Sequence, residues 1–232
     1  MKSVYSNAAI VFGSGGGIGK AIKQELLSGS VYENVICFSK SNDIQLDITD
    51  ENAIMKTAYE LKKKNIKISL IINAIGYLHD KTFLPEKKIS EISNEYLLNC
   101  FKLNSIGHAL IIKYFTPLFN QETKSFLVCL SARVGSITDN YLGGWFGYRA
   151  SKAALNQIVK SASIEINRNL PNLILASIHP GTVYTKLSKP FIKESKCFST
   201  NESAKKILKT IFKLEKEDSG KLLDYHGKVI PF

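Results

Sequence analysis

The 232-residue sequence predicts a three-layer α/β chain built on a doubly wound parallel sheet, and three observations predict it. Short apolar runs of β type alternate with helix-length amphipathic segments from one end to the other. The run at residues 68–72, Ile-Ser-Leu-Ile-Ile, is almost continuously apolar, as a strand covered on both faces must be. A glycine-rich loop joins the first apolar run to the first helical segment, the place where such sheets hold ligands.

Taken in order, residues 8–12 form an apolar run that stops at Gly13, a first strand. Residues 19–27 carry helical spacing, and residues 35–38 a second short strand. Asp50 starts a helix reaching about Lys64, with Ala53, Ile54, Ala58 and Leu61 on one face. After the buried strand at 68–72 comes a helical segment at 103–119, with Pro117 near its end. A strand at 126–130, a long helix at 147–167, a strand at 173–178 and a helix at 202–214 complete the alternation, and Leu222-Leu223-Asp224-Tyr225 can supply a last strand. Strict alternation implies right-handed crossovers. No linker, repeat or low-complexity segment interrupts it, so residues 1–232 read as a single domain.

Composition narrows the class. Hydrophobic residues make up 44%, enough for a sizeable core. No stretch approaches the roughly 20 apolar residues that cross a bilayer, so no membrane partner is expected. Met1-Lys2-Ser3 runs almost at once into the first strand, which reads as part of the fold rather than a signal peptide. Cys37, Cys100, Cys129 and Cys197 show no Cys-x-x-Cys spacing and no pairing with histidine, so burial is expected rather than metal or redox chemistry. A reducing cytoplasm fits that usage. The net charge of +11 invites a nucleic-acid reading. Its lysines, however, are dispersed in short clusters on helix faces, without the aromatic interleaving of a stacking platform. A solvated basic surface that helps attract anionic substrates or cofactor phosphates is the better account.

The loop Gly13-Ser14-Gly15-Gly16-Gly17-Ile18-Gly19 lies between a strand and a helix. Glycines there let the backbone approach a pyrophosphate, and the helix N-terminus offers free N–H groups and positive dipole. Its spacing, Gly13, Gly17 and Gly19, resembles the short-chain dehydrogenase/reductase family, and further landmarks follow in order. Asp47, followed by Ile48, matches an aspartate that bonds the adenine amino group. Asn73-Ala74-Ile75-Gly76 is similar to the Asn-Asn-Ala-Gly turn after the fourth strand, and Asn104 to an asparagine on the next helix. Tyr148-Arg149-Ala150-Ser151-Lys152 is a Tyr-x-x-x-Lys motif. Pro180-Gly181-Thr182-Val183-Tyr184-Thr185 resembles the segment that holds the nicotinamide carboxamide. Arg133 to Ile137, the Gly143-Gly144-Trp145 stretch and the tail around Leu223-Asp224-Tyr225 resemble the C-factor-like carbonyl reductase branch. The resemblance implies a Rossmann fold with a seven-stranded parallel sheet, a bound NADP(H), a small carbonyl or alcohol substrate, and pairing into a homodimer or homotetramer.

Tyr148 and Lys152, four residues apart on a helix, share one face. A nearby ammonium favours the phenolate, so Tyr148 is expected to exchange a proton with the substrate oxygen. By resemblance, Lys152 also bonds the nicotinamide ribose, and Asn104 keeps a water-linked path to Lys152. The family's serine, three residues before a glycine, falls on Ala132 when Gly135 is the anchor. Three accounts stand open: a shifted strand end brings Ser131 into the site, Ser136 reaches in from the loop, or Tyr148 works without a serine. Ser131 is the favoured candidate, because strand ends irregularise near active sites.

Cofactor choice rests on the end of the second strand, Cys37-Phe38-Ser39-Lys40-Ser41, which has no carboxylate before Asp43. An acidic residue there selects NAD; Ser39 and Lys40 instead suit a 2′-phosphate. Residues 187–200, with Phe191, Ile192 and Phe198, are expected to cover the substrate pocket as a lid. Apolar positions on residues 103–119 (Ile106, Ala109, Leu110, Ile112, Phe115) and 147–167 (Ala153, Leu155, Ile158, Ala162) suggest the pairing surface. The competing reading is a cofactor-binding regulatory or signalling protein with little turnover, motivated by Ala132.

Overall fold

The computed structural model describes residues 7–41 and 43–232, so the reading of Met1-Lys2-Ser3 lies outside the described residues. Strands β1 (Asn7–Phe12), β2 (Asn34–Ser39), β3 (Ile44–Gln45), β4 (Lys67–Asn73), β5 (Ser125–Leu130), β6 (Leu173–His179), β7 (Leu222–Asp224) and β8 (Val229–Ile230) form one sheet in the order β3-β2-β1-β4-β5-β6-β7-β8. Helices α1 (Gly17–Gly29), α2 (Glu51–Lys63), α3 (Asn94–Phe101), α4 (Gly107–Phe115), α5 (Phe146–Asn169) and α6 (Thr200–Ile211) cover it.

The sheet is buried on both sides. Along β5, Leu127 and Cys129 join a cluster with Ile54 of α2, Ile111 and Phe115 of α4 and Leu155 of α5. The alternate residues Phe126, Val128 and Leu130 pack with Ile22 of α1 and Ile207 of α6. This two-sided burial is why the central strands carry no polar alternation. Asp50 accepts from Ala53 N and starts α2, while a reciprocal Ser199–Glu202 cap starts α6 at Thr200, two residues before the position read from periodicity.

Seven strands, β1 to β7, are parallel, as expected; an eighth, β8, adds to the edge antiparallel to β7. A tight turn makes it, with Gly227 at φ +84° and Asp224 Oδ1 accepting from His226 N and Lys228 N. Both β8 and the exposed β3 are two residues long, too short for any period to reveal.

The segment read as one helix over 103–119 is longer and interrupted. It begins with α3 behind the Ser93 cap, passes through a π-helical turn at Lys102–Ile106, continues as α4 and ends at Phe115, leaving Pro117 in a 3₁₀ turn. The expectation of a broad apolar pairing face on these helices also needs correction. Ile112, Phe115 and Leu155 are core residues, whereas Ile106 is exposed.

Sheet order reverses between β1 and β4, whose carboxyl ends lie side by side, Ala74 N donating to Phe12 O at 2.9 Å. The crevice that opens there carries the candidate site.

Candidate active site

A cleft of about 630 Å³ runs from the glycine loop to α5, floored by Gly15, Gly16 and Gly17 and flanked by Ala74, Gly76, Pro180 and Leu187. Gly19 closes the loop: a Cβ there would stand 2.2 Å from Gly13 O, so no side chain fits. Helix α1 starts with no side-chain cap and no acidic residue in its first turn, which leaves its N-terminal N–H groups and dipole to the cleft. Lys20 adds a positive charge to the same wall.

Beside the glycine loop a pocket of about 340 Å³ is lined by Gly13, Ser39, Lys40, Ile48 and Gly76. Lys40 forms an ion pair with Asp47 at 3.0 Å, and Asp47 Oδ1 also accepts from Thr49 N and Thr49 Oγ1. Asp43, which the sequence marked only as the first carboxylate after the strand, folds back onto the loop. It accepts from Ser14 Oγ at 2.6 Å and pairs with Lys23, which holds its carboxyl below the usual range.

Tyr148 and Lys152 both open into the large cleft from the first two turns of α5. Lys152 is 2% exposed and its Nζ donates to Leu130 O at 2.8 Å, at the end of β5. Burial pushes its ammonium down to about 8. Burial also pushes the Tyr148 phenol up, with Cys100 adding to the effect. The expected lowering of the tyrosine by Lys152 is absent here, where desolvation of the phenolate sets the direction.

Asn104 lies in the π-helical turn, fully buried. Its Oδ1 accepts from Tyr77 N at 2.7 Å, and its Nδ2 donates to Tyr77 O and to Ser151 Oγ. It thereby ties the strand-exit chain to α5. A Cβ on Gly76 would lie 3.8 Å from Asn104 Oδ1 and 3.9 Å from Lys152 Nζ, which places all three together. Asn73 Oδ1 accepts from Ile75 N, while its buried Nδ2 has no partner among the described residues.

Ser131 Oγ donates to Asn156 Oδ1 at 2.8 Å, and Asn156 Nδ2 donates in turn to Gly135 O. Ser136 is buried and accepts from Asp139 N. It is Ala132 that packs with Tyr148 and Leu78.

A second pocket, of about 320 Å³, continues from the cleft and shares Ser131, Tyr148, Pro180, Thr185 and Leu187 with it. Gly181 and Val183 also line it, and its walls are Leu78, Val134, Trp145, Phe191 and Ile192. Trp145 meets Tyr148 and Phe191 edge-on at centroid distances of 6.1 and 5.3 Å. The segment read as a lid holds two 3₁₀ turns, Lys189–Phe191 and Glu194–Lys196, and His79 Nε2 donates to Leu187 O at 3.1 Å. His179 enters the same pocket with a buried Nδ1 that has no partner among the described residues. The sequence reading named neither His79 nor His179, since a lone histidine beside a strand end gives no pattern to read. Among the described residues no group of three His, Cys, Asp or Glu is placed to hold a metal ion, and no helix is long and apolar enough to cross a membrane.

The chain is similar to several known proteins. The chain is 25% identical over 230 residues to 1-hydroxy-2-glutathionyl-2-methyl-3-butene dehydrogenase of Rhodococcus sp. (strain AD45), covering 95% of this chain and 97% of that one. It is 27% identical over 144 residues to C-signal of Myxococcus xanthus, covering 62% and 83%. Its fold superposes on the NADPH-bound carbonyl reductase from chicken fatty liver with a TM-score of 0.86 at 23% identity, covering 99% of this chain and 96% of that one. A family model described as Enoyl-(Acyl carrier protein) reductase matches residues 24–217. With that match over most of its length, the chain belongs to the short-chain dehydrogenase/reductase family.

Proposed function

We propose that this oxidoreductase uses NADP(H) to interconvert a small, largely apolar carbonyl compound and its alcohol. One observation carries the reading: Tyr148 stands where the glycine-floored cleft meets the apolar pocket, and lines both. A dinucleotide suits the cleft, whose loop has no side chain in the way and whose helix start is uncapped. Ser14, Ile18, Asp47, Asn73 and the 180–185 segment would flank it, with Ser39 and Lys40 toward a 2′-phosphate.

When bound, the nicotinamide supplies or accepts the hydride. Tyr148 gives its phenolic proton to the carbonyl oxygen in reduction and takes it back from the alcohol in oxidation. Lys152, fixed by Leu130 O, holds a charge beside the reacting centre, and Asn104 fixes the chain that faces it. Ser131, bonded to Asn156, braces the strand end, so the carbonyl meets the Tyr148 hydroxyl without a second hydroxyl at position 132. Residues 187–200 close the apolar pocket. Four free cysteines, three of them buried, suit a cytoplasmic setting, and a homodimer or homotetramer would cover the exposed Ile106.

Ala132 is the observation that favours the second reading, a cofactor-binding signalling protein with little turnover. NADPH oxidation with a panel of aldehydes, ketones and quinones separates the two. The enzyme reading expects turnover with at least one apolar member, and Tyr148→Phe should lower it roughly 100-fold or more while NADPH affinity holds. Absence of turnover across the panel, or full turnover in Tyr148→Phe, defeats it.

A further inference from the structure

The helix that carries Tyr148 and Lys152 begins without help from its own sequence. Its N-cap residue, Trp145, sits in the left-handed region at φ 52° and offers no side-chain hydrogen bond, and no acidic residue lies in the first turn. A helix start leaves several N–H groups without intrahelical partners, and their dipole favours negative charge. Here the partner comes from far away in sequence. Both carboxyl oxygens of Glu86 accept from Gly147 N, each at 3.2 Å, and the Glu86 main-chain carbonyl accepts from Trp145 N.

Glu86 is 3% exposed, and no cation pairs with it among the described residues. A carboxyl buried without a counter-charge is expensive unless hydrogen bonds compensate it, and the compensation is the start of α5. Gly147 makes room for it: a Cβ there would meet the Tyr96 ring at 3.0 Å and Glu86 Oε1 at 3.2 Å. Tyr96 in turn donates to Leu78 O at 2.8 Å, and Leu78 packs on Tyr148. Thus one buried side chain holds the amide next to Tyr148, and its main chain holds the amide of the pocket wall Trp145.

We propose that Glu86 is a positioning residue: capping α5 from the loop after β4, it sets the Tyr148 hydroxyl and the Trp145 wall in the geometry that reaction requires. This rests on the oxidoreductase reading above. Removing the cap leaves the glycine loop untouched, so catalysis and cofactor binding should separate.

The test uses full-length Glu86→Ala, Glu86→Asp and Glu86→Gln, with NADPH and 4-nitrobenzaldehyde as probes. Glu86→Ala should lower kcat tenfold or more, with KM and Kd for NADPH within twofold of wild type. Glu86→Gln keeps an acceptor oxygen and should recover kcat to within threefold. Glu86→Asp, which retracts the carboxyl by one methylene, should resemble the alanine variant and serves in its place if that variant does not fold. Trp145 is the sole tryptophan, so its emission reports the same cap without turnover. It should shift to the red and quench more readily with acrylamide in Ala and Asp, but not in Gln. Wild-type kcat in both Ala and Asp, or a Gln variant as impaired as Ala, overturns the proposal. If wild type reduces nothing, the oxidoreductase reading fails, and the cap is then judged on Trp145 emission and on amide exchange at Gly147 and Tyr148. Values unchanged in the Ala and Asp variants overturn it.

Discussion

The Ser131 hydroxyl and the Asn156 side chain lie 2.8 Å apart in the interior, and this bond decides what each neighbour can do. It turns Ser131 toward α5 and leaves the Ala132 methyl against Tyr148. Ser131→Ala should therefore act on stability. It strips Asn156 Oδ1 of its donor, a loss of about 1–3 kcal/mol, while kcat/KM stays within about threefold. Ala132→Ser should raise kcat/KM severalfold, since a well-placed donor to a developing oxyanion is worth up to about 10²–10³. Steady-state kinetics and denaturant melts of both variants check this. Turnover abolished in Ser131→Ala at unchanged stability would return the serine to the reaction.

Lys152 sets an alkaline limit. Burial brings its ammonium down to about 8, so its charge is lost as pH rises through that value in the free enzyme. If the charge is needed, kcat/KM for reduction falls above pH 8. Arginine stays protonated throughout this range, so Lys152→Arg should move the falling limb beyond pH 9, whatever its absolute rate. A profile that stays flat to pH 9.5 in wild type would disconnect the charge from the reaction.

Cofactor discrimination should be modest. A charged hydrogen bond from Lys40 to a 2′-phosphate is worth about 1.5–3 kcal/mol, or roughly ten- to a hundredfold. Lys40, however, already pairs with Asp47 and must share or leave that contact. The low end follows: Kd for NADPH about tenfold below that for NADH, and a reversed order in Lys40→Asp. Fluorescence titration decides it, and equal affinity for both cofactors in wild type would count against the assignment.

Two buried histidines should make the fold acid-sensitive. Burial pushes His108 down to about 3 and His179 down to about 4. His108 bonds Ile75 O and faces Lys152; His179 faces Arg133 and Asp224. The unfolded chain takes up protons at about 6.5 and the folded chain does not. Stability is therefore complete above 6.5 and falls with decreasing pH through the window down to 4, by about 1.4 kcal/mol per pH unit for each group. His179→Asn should remove its share of the slope. Urea melts at pH 7 and pH 5 giving the same stability would exclude it.

Much of this architecture was legible because burial leaves a pattern. Both-sided cover makes the middles of β4 and β5 almost continuously apolar, and a cap makes Asp50 visible before α2. The glycine loop and the Tyr148–Lys152 pair were legible because each compresses its geometry into a few adjacent residues. What escaped was long-range. Glu86 reaches α5 from 61 residues away, and nothing around it distinguishes a capping carboxylate from a surface one. Asp43 gave no sign of its bond to the glycine loop, because nothing in the sequence shows that the chain after β2 turns back onto Ser14 and Lys23. The burial of the Tyr148 phenol escaped too, because spacing shows the lysine but not the desolvation. The serine question stayed open in sequence because alternation assigns faces only while the strand lasts, and β5 ends at Leu130.

The π-helical turn at Lys102–Ile106 restricts how this gene can change length. The turn holds one residue more than a regular α-helix would. Deleting one of the five would let the helix close into ordinary α form with α4 kept in register, but the bulge that carries the buried Asn104 would be gone. Ile111 and Phe115 would keep their places in the core, while Asn104 would lose its hold on Tyr77 and Ser151. Substitutions at the outward positions, such as the exposed Ile106, leave the bulge in place. Over generations this stretch should accept exchanges of residue far more readily than the loss of one.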